Sequence, residues 1–245
     1  MDDVVQAALW GFLAASALPL GALFATRYTL STRTVGAIMA FGAGTLITAV
    51  TFELVDQAFR RTDLWPVVLG LGLGAIAFTA GDAALVRYGG RRHRRRDPGI
   101  ADDDGGLPIA LGAVLDGIPE SLVLGISLAT GGAVSVTFLI AVFVSNVPES
   151  LASTRGMIAA GHSRGRVVAL WFVVAAVSAA FAALGATLDR LDQGAVATVQ
   201  SFAAGALLAL IADSLLPDAY RDSGLRTGLF VVLGFALAFA LTALD

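Results

Sequence analysis

The chain contains no cysteine and only two histidines in 245 residues. The first absence excludes disulfide scaffolds, thiolate metal sites and cysteine nucleophiles. Two histidines cannot supply a three-histidine metal site. His93, set among five arginines that would repel a metal ion, is no ligand, so a two-histidine carboxylate site is excluded as well. Charge is scarce: 14% of residues are Asp, Glu, Lys or Arg, where a soluble chain of this length carries about 25%. Lysine is missing altogether, so all 16 basic residues are arginine, against 19 acidic ones. That acidic balance speaks against a nucleic-acid binder, and an apolar content of 57% excludes disorder. What the chain has in abundance is 28 glycines, 14 phenylalanines and long charge-free runs, at a mean hydropathy of +0.81. It reads as an all-α polytopic membrane protein whose first partner is the lipid bilayer.

A bilayer core takes about 20 apolar residues per helix. Eight stretches qualify, near 4–26, 34–58, 64–86, 107–129, 134–160, 167–188, 195–216 and 228–244. The whole chain, 1–245, is then one eight-helix transmembrane domain. The first stretch carries no charge and follows Asp2 and Asp3 rather than a basic segment, so it is expected to be a retained helix and not a secretory signal. On eight spans, thirteen arginines fall at one face: Arg27, Arg33, Arg87, Arg91, Arg92, Arg94, Arg95, Arg96, Arg155, Arg164, Arg166, Arg221 and Arg226. Only Arg60, Arg61 and Arg190 fall at the other. The excess of positive charge on the cytoplasmic side of membrane proteins then predicts a cell-membrane protein with both termini outside. The loop at 89–106, between helices three and four, is cytoplasmic on this reading. It runs RRHRRRD and then DDDGG, and is expected to be a solvated connector anchoring its helices to anionic lipid. The other reading is a weak cation-collecting segment using Asp102, Asp103 and Asp104.

Helices four and five repeat one another. GIPESL (117–122) and NVPESL (146–151) share Pro-Glu-Ser-Leu at an offset of 29. Helices two and seven correspond at an offset of 161, FGAGTL (41–46) with FAAGAL (202–207) and, loosely, ELVDQAF (53–59) with SLLPDAY (214–220). On eight spans both pairs run antiparallel. Inverted repeats with interrupted helices near the midplane are an architecture of secondary transporters.

An acid at the centre of a spanning helix costs about 2.5–3.5 kcal/mol even on the lenient insertion scale, so it should face a cavity or a partner. Asp116 and Glu120 in helix four, Glu149 in helix five and Asp213 in helix seven stand there. Glu53, Asp56 and Asp82 lie nearer helix ends. Asp116 and Glu120 are four apart and share a helix face, as do Ser145 and Glu149, with Asn146 adjacent. Pro119 and Pro148 each precede a glutamate, and each frees the carbonyl four residues earlier, at Leu115 and Val144. Packed face to face, these helices would offer carboxylates, an amide, a hydroxyl and spare carbonyls. Such an all-oxygen nest suits a divalent cation, with protons as competitors. The bland alternative is a pair of kinked packing helices whose acids find Ser, Thr or Arg partners, with Arg155 a candidate.

With these residues the chain resembles the ZIP (Zrt/Irt-like) family of metal transporters over nearly its whole length. The family's fourth-span motif HNxPEG reads Asp116-Gly117-Ile118-Pro119-Glu120-Ser121 here, and its fifth-span motif, often HExPEG or QDxPEG, reads Ser145-Asn146-Val147-Pro148-Glu149-Ser150. The resemblance implies a ZIP-like helix bundle and a primary metal site of Asp116, Glu120, Ser145 and Glu149. It also implies uptake of a divalent cation toward the cytoplasm, by an elevator-like movement of helices one, four, five and six against the others. Three departures stand out. Asp116 replaces a histidine, Gly117 replaces an asparagine and offers no side chain, and the sixth span, around 177–185, has no acid.

Without membrane imidazoles, an oxygen site should favour manganese, magnesium or calcium more than the family's histidine sites do, and the candidate cargoes are zinc, manganese and iron. The metal is cargo, and no organic cofactor is implied. An enzyme is not expected: His93 and His162 lie in loops, no GxSxG elbow exists, and an aspartyl protease would have only Asp116 and Asp213 to call on. The competing reading is a ZIP-like homologue without metal transport, acting as a sensor, a regulator or a proton-linked carrier. A homodimer is compatible with the sequence, although no span carries a decisive interface motif.

Overall fold

In a computed structural model, residues 3–87, 106–129, 135–190 and 192–243 are described, and every regular element among them is helical. The loop at 89–106, with His93, its arginines and Asp102 to Asp104, lies outside the described residues except for Gly106. The helices are α1 (Asp3–Ala15), α2 (Ala17–Arg27), α3 (Thr32–Ala49), α4 (Asp56–Arg61), α5 (Leu64–Arg87) and α6 (Gly106–Ala129). They continue as α7 (Val136–Ala159), α8 (Arg164–Ala186), α9 (Gln193–Leu210), α10 (Leu216–Ser223) and α11 (Thr227–Thr242). Two π segments, Val50–Val55 and Ile211–Leu215, join α3 to α4 and α9 to α10 without a break.

The starts of the long helices are written locally. Ser31, Ser135, Ser163 and Asp192 each accept a hydrogen bond from a backbone N–H three residues on, at 3.1, 3.1, 3.4 and 2.8 Å. Each satisfies a donor that the first helical turn leaves open. Gly161 ends α7 with φ 92°, a left-handed conformation that lets the His162 N–H reach back to the Met157 carbonyl at 3.0 Å.

Seven helical stretches among the described residues are long and apolar enough to cross a membrane, which fits a multi-pass membrane protein. The last, Gln193–Thr242, contains both of the final two spans expected from sequence. Straight, its 50 residues would extend about 75 Å. It turns instead at Gly224, where φ is 67° and Thr227 Oγ1 donates back to the Ala219 carbonyl at 3.3 Å. Leu69, Leu73 and Ile76 on α5, and Leu229, Val232, Leu233 and Leu237 on α11, are exposed. An apolar surface of that extent suits lipid rather than water.

The most extensive packing pairs are α5–α9, α3–α11, α6–α8, α1–α8, α3–α7 and α2–α7. Residues of α1, α3, α6, α7 and α9 meet in one hydrophobic core that includes Ala14, Leu46, Leu124, Phe138 and Leu207. Small residues set these distances. A Cβ at Gly44 would strike the Val231 carbonyl, one at Gly234 the Phe41 carbonyl, one at Gly205 the Leu71 carbonyl and one at Gly74 the Phe202 carbonyl. At the α3–α7 seam, a Cβ on Gly42 would lie 2.9 Å from Ser145 Cα. Between α8 and α7, fully buried Trp171 donates through Nε1 to Thr154 Oγ1 at 2.9 Å.

Candidate functional site

Pro119 sits inside α6 and Pro148 inside α7, so the helices run on through the prolines and the glutamates that follow them. Glu120 is 3% exposed and Asp116 6%. Asn146 of α7 and the carboxylates of Glu149 and Asp116 are the groups that act electrostatically on Glu120. Asp116, Glu120, Asn146 and Glu149 are thus brought together where α6 meets α7, the first three buried and Glu149 half-buried. Among the described residues, however, no three His, Cys, Asp or Glu side chains stand close enough to hold one metal ion. The group is a loose carboxylate–amide cluster rather than a closed coordination shell.

Ser145 is buried, its backbone against Gly42, and its hydroxyl donates to the Val142 carbonyl at 2.9 Å. That bond uses the proton and leaves the oxygen lone pairs. Asp213 is not brought to the cluster: it stands exposed on the second π segment. In a regular helix its spacing from buried Ala203, Ala206 and Leu210 would carry it to their face. The wider π turn brings Ser214 and Leu215 inward instead. The Ser214 hydroxyl is buried with no hydrogen-bond partner among the described residues.

The acids nearer helix ends have local partners. Gln57 donates to Glu53 at 3.1 Å, and Arg60 pairs with Asp56 at 2.6 Å. Arg155 donates to the Leu30 and Tyr28 carbonyls at 2.7 and 3.3 Å, tying α7 to the connector before α3 rather than meeting an acid among the described residues.

Two features were not singled out from sequence. A Cβ at Gly117 would lie 3.2 Å from Ser178 Oγ, so the glycine lets a buried hydroxyl of α8 approach α6 just beside Asp116. Also, a cavity of about 180 Å³ opens beside Glu149, bounded by Met39, Ser153, Asp218, Arg221 and Asp222. Of Asp218, Arg221 and Asp222, only Arg221 entered the sequence analysis, as one of thirteen arginines at one membrane face. Their only signal was the spacing of three and four residues that places Asp218 beside the other two. A second cavity, of about 170 Å³, lies between α5, α6 and α9 with Pro119 on its wall, and only apolar side chains line it.

No protein-family model matches this chain, and no curated protein matches it.

Proposed function

We propose that this protein is a ZIP-like transporter that carries a divalent metal cation into the cytoplasm through a midplane site between its fourth and fifth spans. The observation that carries the reading is the buried meeting of Glu120 with Asp116, Asn146 and Glu149. Carboxylates are costly in a membrane interior unless something compensates them. The neutral amide of Asn146 compensates only in part, and a passing divalent cation would complete it. The ligands are all oxygen, which suits manganese best among the candidate cargoes manganese, iron and zinc. A loose cluster is compatible with cargo, because a transporter must release the ion it binds.

Further observations support the eight-span, inverted-repeat architecture of this reading. Counting the turn at Gly224 as a reversal divides the last stretch in two and yields eight crossings. The π segments open at Val50 and Ile211, which differ by 161, the offset that relates Phe41 to Phe202. The close glycine contacts repeat in the same register. Gly44 on Val231 answers to Gly205 on Leu71, and Phe41 on Gly234 answers to Phe202 on Gly74. On this reading both termini lie outside the cell membrane and the loop between the third and fourth spans is cytoplasmic.

A second reading, a sensor or proton-linked carrier that moves no metal, is favoured by the lack of any preassembled group of three ligands among the described residues. Reconstitution in liposomes decides between the two. The transport reading expects entry of manganese, iron or zinc that is lost in Glu120→Gln, Glu149→Gln at equal incorporation. Proton movement with no metal entry would establish the second reading.

A further inference from the structure

The cavity beside Glu149 already holds a cation belonging to the protein. Arg221 donates through Nη1 to Asp218 Oδ1 at 2.9 Å and through Nε to Asp222 Oδ1 at 3.0 Å. The two aspartate side chains are only 9% and 12% exposed, whereas that of Arg221 is 54% exposed. The acids therefore sit on the inner wall and the guanidinium stands toward the mouth. This wall is fixed in place, since a Cβ on Gly36 of α3 would lie 2.7 Å from Asp222 Cβ and 2.9 Å from the Ser223 nitrogen. Glu149, Ala152 and Ser153 of α7 line the same cavity. Glu149 belongs to both places: its charge acts on Glu120 in the buried cluster, and it borders the cavity. A passage from the cluster through this cavity would meet three carboxylates and one guanidinium.

We propose that Arg221 is a tethered counter-cation that occupies the mouth of this cavity, excluding other cations from the space below Glu149 until it is displaced. Its fork holds Asp218 and Asp222 when the cavity is otherwise empty. A cation crossing the cavity takes those carboxylates over as the guanidinium swings outward. The consequence for metal flux rests on the transport reading above, but the exclusion of cations from the cavity does not.

The chain has no cysteine, so Ser153→Cys supplies a single thiol on the cavity wall, and Ala152→Cys supplies a second reporter there. Each full-length reporter is reconstituted and treated with ethylammonium methanethiosulfonate or with neutral methyl methanethiosulfonate. Clefts lined by one sign of charge concentrate counter-ions at least about tenfold. Arg221→Gln is thus expected to raise the ratio of cationic to neutral reaction rates by about that factor. Arg221→Lys, which keeps the charge, should leave the ratio near that of the unsubstituted reporter. A ratio unchanged by Arg221→Gln at both reporters overturns the proposal, as does a thiol that reacts in neither background at either position. Manganese entry into the same vesicles is measured alongside, and should be faster at low manganese in Arg221→Gln. Vesicles that admit no metal with any variant would end the transport reading while the thiol ratio still decides the role of Arg221. Metal entry with an unchanged ratio would do the reverse.

Discussion

The Asn146 side chain of α7 acts on the Glu120 carboxyl group of α6, so the one neutral member of the cluster reaches across between the two proline-bearing helices. Both side chains are buried, and a buried polar group that loses its compensating neighbour costs about 1–3 kcal/mol. Asn146→Ala is expected to lower the melting temperature in detergent and to raise the half-saturating manganese concentration about tenfold or more, by the conversion of 1.4 kcal/mol per factor of ten. Melting curves and uptake titrations on the same preparation check both effects. A variant matching wild type in both would remove Asn146 from the site.

Asp213 stands exposed on its π segment, away from the buried carboxylates. Asp213→Asn should change metal uptake by no more than about twofold, the size expected of a surface substitution. Asp116→Asn should reduce uptake at least about tenfold, since it removes a carboxylate that acts on Glu120. Comparing initial rates of the two variants in matched vesicles tests the placement directly, and equal losses would contradict it.

Gly42 of α3 lies against the backbone of Ser145 of α7. A methyl group there would come within 2.9 Å of Ser145 Cα, and neither backbone can yield as the end of a flexible side chain could. Gly42→Ala is therefore expected to destabilise the protein by about 1–3 kcal/mol, the usual cost of overpacking. It should also slow uptake, because the displaced helix carries Ser145, Asn146 and Glu149. An unchanged thermal midpoint would show that the seam is looser than the contact implies.

Gly44 and Gly205 make matching contacts, each against a carbonyl of a neighbouring helix, Val231 for one and Leu71 for the other. If the two halves are structurally equivalent, Gly44→Ala and Gly205→Ala should lose stability by the same amount to within about 0.5 kcal/mol, and the losses should add in the double variant. A large loss for one with none for the other would weaken the repeat. Thermal denaturation of the three variants is sufficient.

The membrane character of the chain was legible in its composition, because about 20 consecutive apolar residues have few alternatives to a spanning helix. The starts of α3, α7, α8 and α9 fall at Thr32, Val136, Arg164 and Gln193, two or three residues from the starts expected from hydropathy at 34, 134, 167 and 195. The caps Ser31, Ser135, Ser163 and Asp192 set them, and apolar content does not. The paired Pro-Glu segments marked Asp116, Glu120, Asn146 and Glu149, because a proline and an acid in mid-helix are costly wherever the helix packs. Tertiary structure decided the rest. Asp213 could not be placed by periodicity, because a π turn changes the residues per turn without a composition signal and rotates the side chain outward. Nor could the Glu149–Arg221 cavity be anticipated, since its walls come from α3, α7 and α10. Local sequence fixes which residues form helices and where those helices begin. Which side chains share a buried space is fixed only when the helices pack, through contacts such as Gly42 on Ser145 and Gly36 on Asp222 that join distant parts of the chain.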